Sequence, residues 1–269
     1  MTNEQNVQPE ASTLVSPTEQ ESKPFNSELK ISSCQELAKS SWPIYKQNIK
    51  KFISLMLIPL FAFFVLGVLT FFSIIPIFLF HPENIAIKYG LIALIVFVLI
   101  IAFCLFIYIA ISSQAGMFLL IKNYKDNITV KDAFMGGRKI AVKFFVTNLL
   151  VAFFVFLWTL LFIIPGIYMT LAYSMAIWVL ICEGIAGGAA IKKSKQLVKG
   201  YWMALFGRYA VVYIAVYAVI MIPFLIFGEK SGMGIAWTVI SQVLSFLVAP
   251  FIVIYTYYIY LDLKKIKNI

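Results

Sequence analysis

Six apolar runs, each close to or beyond the about 20 residues that cross a bilayer as a helix, constrain this chain more than any other feature. They lie at roughly 52–80, 89–112, 144–165, 166–182, 203–227 and 234–261. Of the 269 residues, 62% are hydrophobic and 13% charged. A soluble domain carries about 25% charged residues and has no interior large enough to hide so much apolar surface. The expected class is an all-α integral membrane protein with six transmembrane helices. Between the third and fourth runs stands only Pro165-Gly166, in the string FIIPGIY. A continuous helix over 144–182 would be about 58 Å long, far more than one bilayer, so Pro165-Gly166 is expected to be a tight hairpin turn.

Orientation follows from the 22 basic residues. Lys88 and Lys230 stand alone between runs. All the others fall in the N-terminal region, between Met117 and Lys143, between Lys192 and Arg208, or in the terminal LKKIKNI. With six spans those four regions share one side, and the positive-inside bias makes it the cytosol. The expectation is a multi-pass protein of the cell (inner, cytoplasmic) membrane with both termini cytoplasmic. The net charge of +10 sits beside apolar runs and not in a basic domain, which favours anionic lipid headgroups as partners over nucleic acid. Residues 1–30 are polar, with five glutamates against two lysines and no basic start followed by an apolar core. They read as a disordered cytosolic tail, not a signal peptide, leaving 31–269 as the membrane domain.

The stretch GGAAIKKSKQLVKGYW has a helical period. Ala190, Ile191, Ser194, Leu197, Val198, Tyr201 and Trp202 share one side, opposite Lys192, Lys193, Lys195, Gln196, Lys199 and Gly200. This is the pattern of an interfacial amphipathic helix whose lysines reach headgroups. Two earlier stretches repeat it in phase. One begins at Leu37 and sets Lys39, Lys46 and Lys50 on its polar side; the other begins at Ala133 and sets Arg138, Lys139 and Lys143 there. With the starts aligned, the fifth position is Ser41, Gly137 or Ser194 and the eighth is Ile44, Ile140 or Leu197. Each stretch leads into a span ending in a similar tripeptide, Ile74-Ile75-Pro76, Ile163-Ile164-Pro165 or Met221-Ile222-Pro223. The chain therefore reads as three pseudo-repeats, about 36–112, 132–182 and 189–262. Each is a transmembrane hairpin preceded by a cytosolic-face amphipathic helix.

The run IIPGIYMTLAYSMAIWVLICEGIAGGAAIKKSKQLVKGYW resembles the signature of a poorly characterised prokaryotic family of six-span membrane proteins. That family is related to the membrane domain of some glycerophosphoryl diester phosphodiesterases. The matching positions are Pro165, Gly166, Glu183, Ala189, Ala190, Ser194, Lys199, Gly200 and Trp202. The likeness is densest over 160–210 and implies the six-span fold. The soluble phosphodiesterase domain, with its histidines and metal-binding carboxylates, has no counterpart here, so the resemblance implies no enzymatic activity.

Candidate chemistry is sparse. Cys34, Cys104 and Cys182 are far apart, without metal-ligand spacing, and His81 has only Glu83 nearby. No nucleotide, nucleophile or metalloprotease motif is present. The expectation is a non-enzymatic protein without cofactor or metal, one that interacts with lipids or organises the membrane. Glu183 supports two roles: an intramembrane functional carboxylate, or an interfacial residue before the basic helix. On the first, the chain would be a small transporter or lipid translocase using Glu183 and polar residues such as Asn148, Thr170, Ser174 and Gln242.

Overall fold

The computed structural model describes residues 31–80, 85–227 and 231–268. The expected tail over 1–30 and the His81–Glu83 turn lie outside the described residues. Every element is helical: α1 (Cys34–Phe80), α2 (Ile85–Lys122), a short 3-10 turn (Tyr124–Asp126), α3 (Val130–Leu161), α4 (Ile163–Tyr173), α5 (Ala176–Glu183), α6 (Gly187–Val198), α7 (Trp202–Phe227) and α8 (Gly232–Lys267). Six stretches are long and apolar enough to cross a membrane, formed by α1, α2, α3, α4 with α5, α7 and α8. This is a multi-pass membrane protein.

Local sequence sets the helix ends. Ser33 and Glu36 make a reciprocal cap on α1: the Ser33 amide donates to Glu36 Oε2 (2.7 Å) and the Glu36 amide to Ser33 Oγ (3.3 Å). Thr129 Oγ1 accepts from the Asp132 amide at the start of α3, and Ser231 Oγ from the Gly234 amide at the start of α8. Gly184 (φ 75°) and Asn268 (φ 50°) close α5 and α8 in the left-handed conformation. Lys264, Lys265 and Lys267 occupy the last turn of α8, where cations suit the carbonyl end of the helix.

The 47 residues of α1 span about 70 Å, more than twice the ~30 Å hydrocarbon layer. The lysine-bearing ends of the helices therefore extend beyond the membrane, and there the core forms. Leu37, Phe52 and Leu55 of α1, Leu120 and Ile121 of α2, Trp178 of α5, Leu197 of α6, and Tyr255 and Tyr260 of α8 are all fully buried. Farther along, the helices turn large apolar side chains outward: Phe64 is 67% exposed, Leu160 74% and Leu225 79%. An apolar solvent is the medium in which such a surface is stable.

Neighbouring helices meet at specific points. Phe63 of α1 stacks near Phe106 of α2 (5.8 Å), and Trp237 Nε1 of α8 donates to the Ile220 carbonyl of α7 (2.9 Å). Helices α2 and α3 come so close that a Cβ on Gly137 would strike the Ser112 carbonyl oxygen and lie 2.6 Å from the Gly116 nitrogen. Pro59 removes the N–H that would bond the Leu55 carbonyl within α1. Ser113 Oγ of α2 donates to that carbonyl instead.

Four expectations need correction. The turn between the third and fourth spans is not Pro165-Gly166. A single extended residue, Phe162 (φ −157°, ψ 141°), separates α3 from α4, and Pro165 sits in the first turn of α4, where a missing N–H costs nothing. Gly166 serves contact instead of turning: a Cβ there would lie 2.8 Å from Thr159 Cα of α3. The span expected over 166–182 is not one helix but two, α4 and α5, interrupted at Ser174–Met175.

Nor are the first two lysine-rich segments separate interfacial helices; they are the first turns of α1 and α3. Only the third is separate, as α6, because Gly200 turns the chain with φ 89°. The aligned positions hold Gln47 and Lys143, ordinary helix formers that carry α1 and α3 straight on. Finally, the apolar sides of these segments face mainly the protein, with Phe145 and Trp202 exposed. Leu37, Ala133 and Ala190 are buried at the aligned first position, and Ser41, Gly137 and Ser194 at the fifth.

Candidate functional site

Between α4 and α5 the helical ladder breaks, and a residue of α6 repairs it. Ser194 Oγ donates to the Ala172 carbonyl (2.7 Å) and accepts from the Met175 amide (3.1 Å). The hydroxyl is fully buried, where an unpaired amide or carbonyl would be costly. The start of α6 is fixed in turn from α3: the Gly187 amide (φ 64°) donates to Thr147 Oγ1 (2.9 Å), which donates to the Lys143 carbonyl (2.7 Å).

Glu183, the last residue of α5, is held by three partners on two other helices. Its Oε2 lies 2.5 Å from Lys193 Nζ of α6. Its Oε1 lies 3.3 Å from Lys264 Nζ and accepts from Tyr260 Oη (2.8 Å), both on α8. The carboxylate side chain is 10% exposed, so these partners satisfy a charge that has largely left solvent. Two residues earlier, Lys122 Nζ of α2 donates to the Ile181 carbonyl (2.9 Å). Glu183 thereby joins α5, α6 and α8 at the lysine-rich end.

The other expected site residues separate into groups. Lys39, Lys46, Lys50, Arg138, Lys139, Lys143, Lys192, Lys195 and Lys199 are exposed, with no carboxylate within ion-pair distance among the described residues. Lys193 departs from the headgroup set, because the Glu183 carboxylate draws it inward. Gly200 forms the bend after α6, and the Lys199 carbonyl accepts from Lys267 Nζ (3.0 Å). Trp202 meets Tyr168 edge to face (5.8 Å, 74°) and shares a shallow apolar cleft with Pro165 and Phe206. Pro165 and Trp202 are thus brought together; Glu183 and Ser194 lie apart from them, around α6.

A second clamp at the same end escaped the sequence reading. Arg208 of α7 donates from Nε to the Ser32 carbonyl (2.8 Å) and from Nη2 to the Ile31 carbonyl, while Asp262 Oδ2 of α8 accepts from the Ser32 amide (2.9 Å). The two side chains hold both sides of one peptide segment just before α1. A signal existed: Arg208 is the one charged residue within the apolar run of α7, and ionisable groups in such runs are retained for a specific contact.

An open-sided cavity of about 540 Å³ lies between α1, α2, α3 and α8. Its floor is aromatic. Phe118 lines it and meets Phe144 edge to face (5.6 Å); it also lies tilted against Trp178 (4.8 Å), which lies tilted against Tyr257 (4.8 Å). Ser113, Gln114 and Asn148 supply the polar side chains of the lining. No family model, curated protein or solved structure matches the chain.

Proposed function

We propose that this chain is a non-enzymatic multi-pass protein of the cytoplasmic membrane, with its lysine-rich end and both termini on the cytosolic side. That end gathers anionic lipid headgroups around the helix bundle and so organises the membrane, or a partner docked on it. The observation that carries the reading is the arrangement of cations. Exposed lysines, with Arg138, stand on α1, α3 and α6 at the end of the bundle where the core is packed, and buried residues on the opposite side of each segment hold it to the protein. The lysines are thus fixed on a rigid surface. Each basic side chain near an anionic leaflet contributes about 1 kcal/mol within a Debye length, so several together give a strong preference.

The acidic residues at this end offset that field only in part, because they are few: among the described residues Glu36, Asp126, Asp132, Glu183 and Asp262 stand against eighteen lysines and arginines, Lys88 set aside. The three aligned lysine segments with equivalent buried positions support a pseudo-threefold arrangement, in which each repeat delivers one basic strip.

The test is lipid preference at low salt. Purified protein reconstituted in neutral phosphatidylcholine containing about one-third anionic phosphatidylglycerol is expected to enrich the anionic lipid in its bound shell. The enrichment should fall with added salt and in the Lys192→Gln, Lys195→Gln, Lys199→Gln triple variant. Equal occupancy by neutral and anionic lipid at low salt would reject the proposal.

A further inference from the structure

The cavity between α1, α2, α3 and α8 has a chemistry unlike the basic surface. Met56, Met117, Phe246 and Val253 make most of its wall apolar, and no charged residue lines it. Its volume of about 540 Å³ falls within the about 300–1,000 Å³ of pockets that bury most of a small organic ligand.

Its hydrogen-bonding groups have capacity to spare. Ser113 is fully occupied as donor to the Leu55 carbonyl that Pro59 leaves free. Asn148 donates from Nδ2 to the Phe144 carbonyl (3.0 Å), and its Oδ1 accepts nothing from another described residue. Gln114 makes no hydrogen bond to any described residue, although it lies on a helix whose hydroxyls at Ser112 and Ser113 are both bonded. On α8, Pro250 removes the N–H that would serve the Phe246 carbonyl. The carboxamides of Gln114 and Asn148 are both exposed, at a half-open cavity whose remaining walls are mainly apolar, so the cavity offers accessible donors and acceptors beside an apolar surface.

These properties select a ligand class. No charged residue lines the cavity, so a charged head group held there would find no counter-ion in the lining. A pure alkane would make no use of the exposed carboxamides. We propose that the cavity binds an uncharged single-chain amphiphile, its hydroxyl or ester group bonded to Gln114 and Asn148 and its chain against Met117, Phe118 and Phe246. The monoacylglycerols are the simplest such class. This site is independent of the headgroup preference proposed above, which concerns charge on the outer surface.

Photolabelling tests it. Protein in neutral phospholipid nanodiscs is incubated with a monoacylglycerol carrying a diazirine in its chain, or with the fatty acid bearing the same chain, and labelled residues are mapped by mass spectrometry. The monoacylglycerol is expected to label the α2 segment around Met117 and the α8 segment around Phe246, about tenfold more than the anionic fatty acid. Unlabelled monoacylglycerol should compete. Gln114→Leu and Asn148→Leu should each reduce cavity labelling about three- to tenfold, the loss of one neutral hydrogen bond. Ala249→Phe, which fills the space, should abolish it. Gln114→Leu breaks no bond to a described residue, so its melting temperature is expected to hold, which separates lost binding from lost fold. The lysine-to-glutamine triple variant on α6 should label like the parent. The proposal is overturned if both probes label the cavity equally, or if label falls only on outward residues such as Phe64 and Leu160. It is overturned equally if the cavity variants leave labelling unchanged.

Discussion

Ser194 of α6 completes the backbone of a span to which it does not belong, donating to the Ala172 carbonyl and accepting from the Met175 amide. Replacing it with alanine leaves both groups buried without a partner. Ser194→Ala is expected to destabilise the protein by about 1–3 kcal/mol, read as a lowered melting temperature in detergent. An unchanged melting temperature would show that the break between α4 and α5 satisfies itself.

Glu183 is expected to act as a joint between helices. Glu183→Gln keeps an acceptor for Tyr260 and leaves Lys193 and Lys264 without their counter-charge. Because Lys264 is 38% exposed, the cost is placed at about 1–2 kcal/mol, between the surface and buried cases. Adding Lys193→Met should recover part of it, since one stranded cation is removed. Flux of labelled lipid or small ions in proteoliposomes gives the contrasting result: a stable Glu183→Gln protein that has lost a measurable flux would make the carboxylate a transport residue.

Adjacent glycines on α3 should respond differently to the same change. In Gly137→Ala the new methyl meets the backbone of α2 at Ser112 and Gly116, whereas in Gly136→Ala it meets only the end of the Leu119 side chain at 3.0 Å. Gly137→Ala is expected to cost about 1–3 kcal/mol as an overpacked contact. Gly136→Ala should be neutral or stabilising, since alanine favours the helix by up to about 1 kcal/mol. Thermal unfolding of the two variants side by side checks the difference, and equal effects would contradict the close approach of α2 and α3.

Gly200 separates α6 from α7 with φ 89° and has open space around it. Gly200→Ala therefore meets no neighbour and reports backbone conformation alone. A loss of about 1 kcal/mol is expected, and a gain in stability would mean that α6 and α7 tolerate continuity, as α1 and α3 do.

The spans were legible because run length and the scarcity of charge are properties of composition along the chain. The phase of the basic segments was legible too: the buried pairs Leu37 and Ser41, Ala133 and Gly137, and Ala190 and Ser194 each stand four residues apart, on one helix face. What could not be read was which surface those faces meet, because an amphipathic pattern is the same against lipid as against protein. Pro165-Gly166 misled for a related reason. The pair is a turn signal, yet proline in the first helical turn is equally favoured, and Phe162, which makes the turn, has no turn chemistry. The cap at Ser33 and Glu36 was readable from SCQE. The proline at position 59 announces a free carbonyl, but that Ser113 answers it depends on how α1 and α2 pair.

The repair at Ser194 also bears on how the protein is made. A growing chain presents α4 and α5 to the membrane before α6 exists, and in lipid an open carbonyl and amide cost several kcal/mol with no water to relieve them. The span ending at Glu183 is therefore unfinished until synthesis has passed residue 194 and α6 has folded back on it.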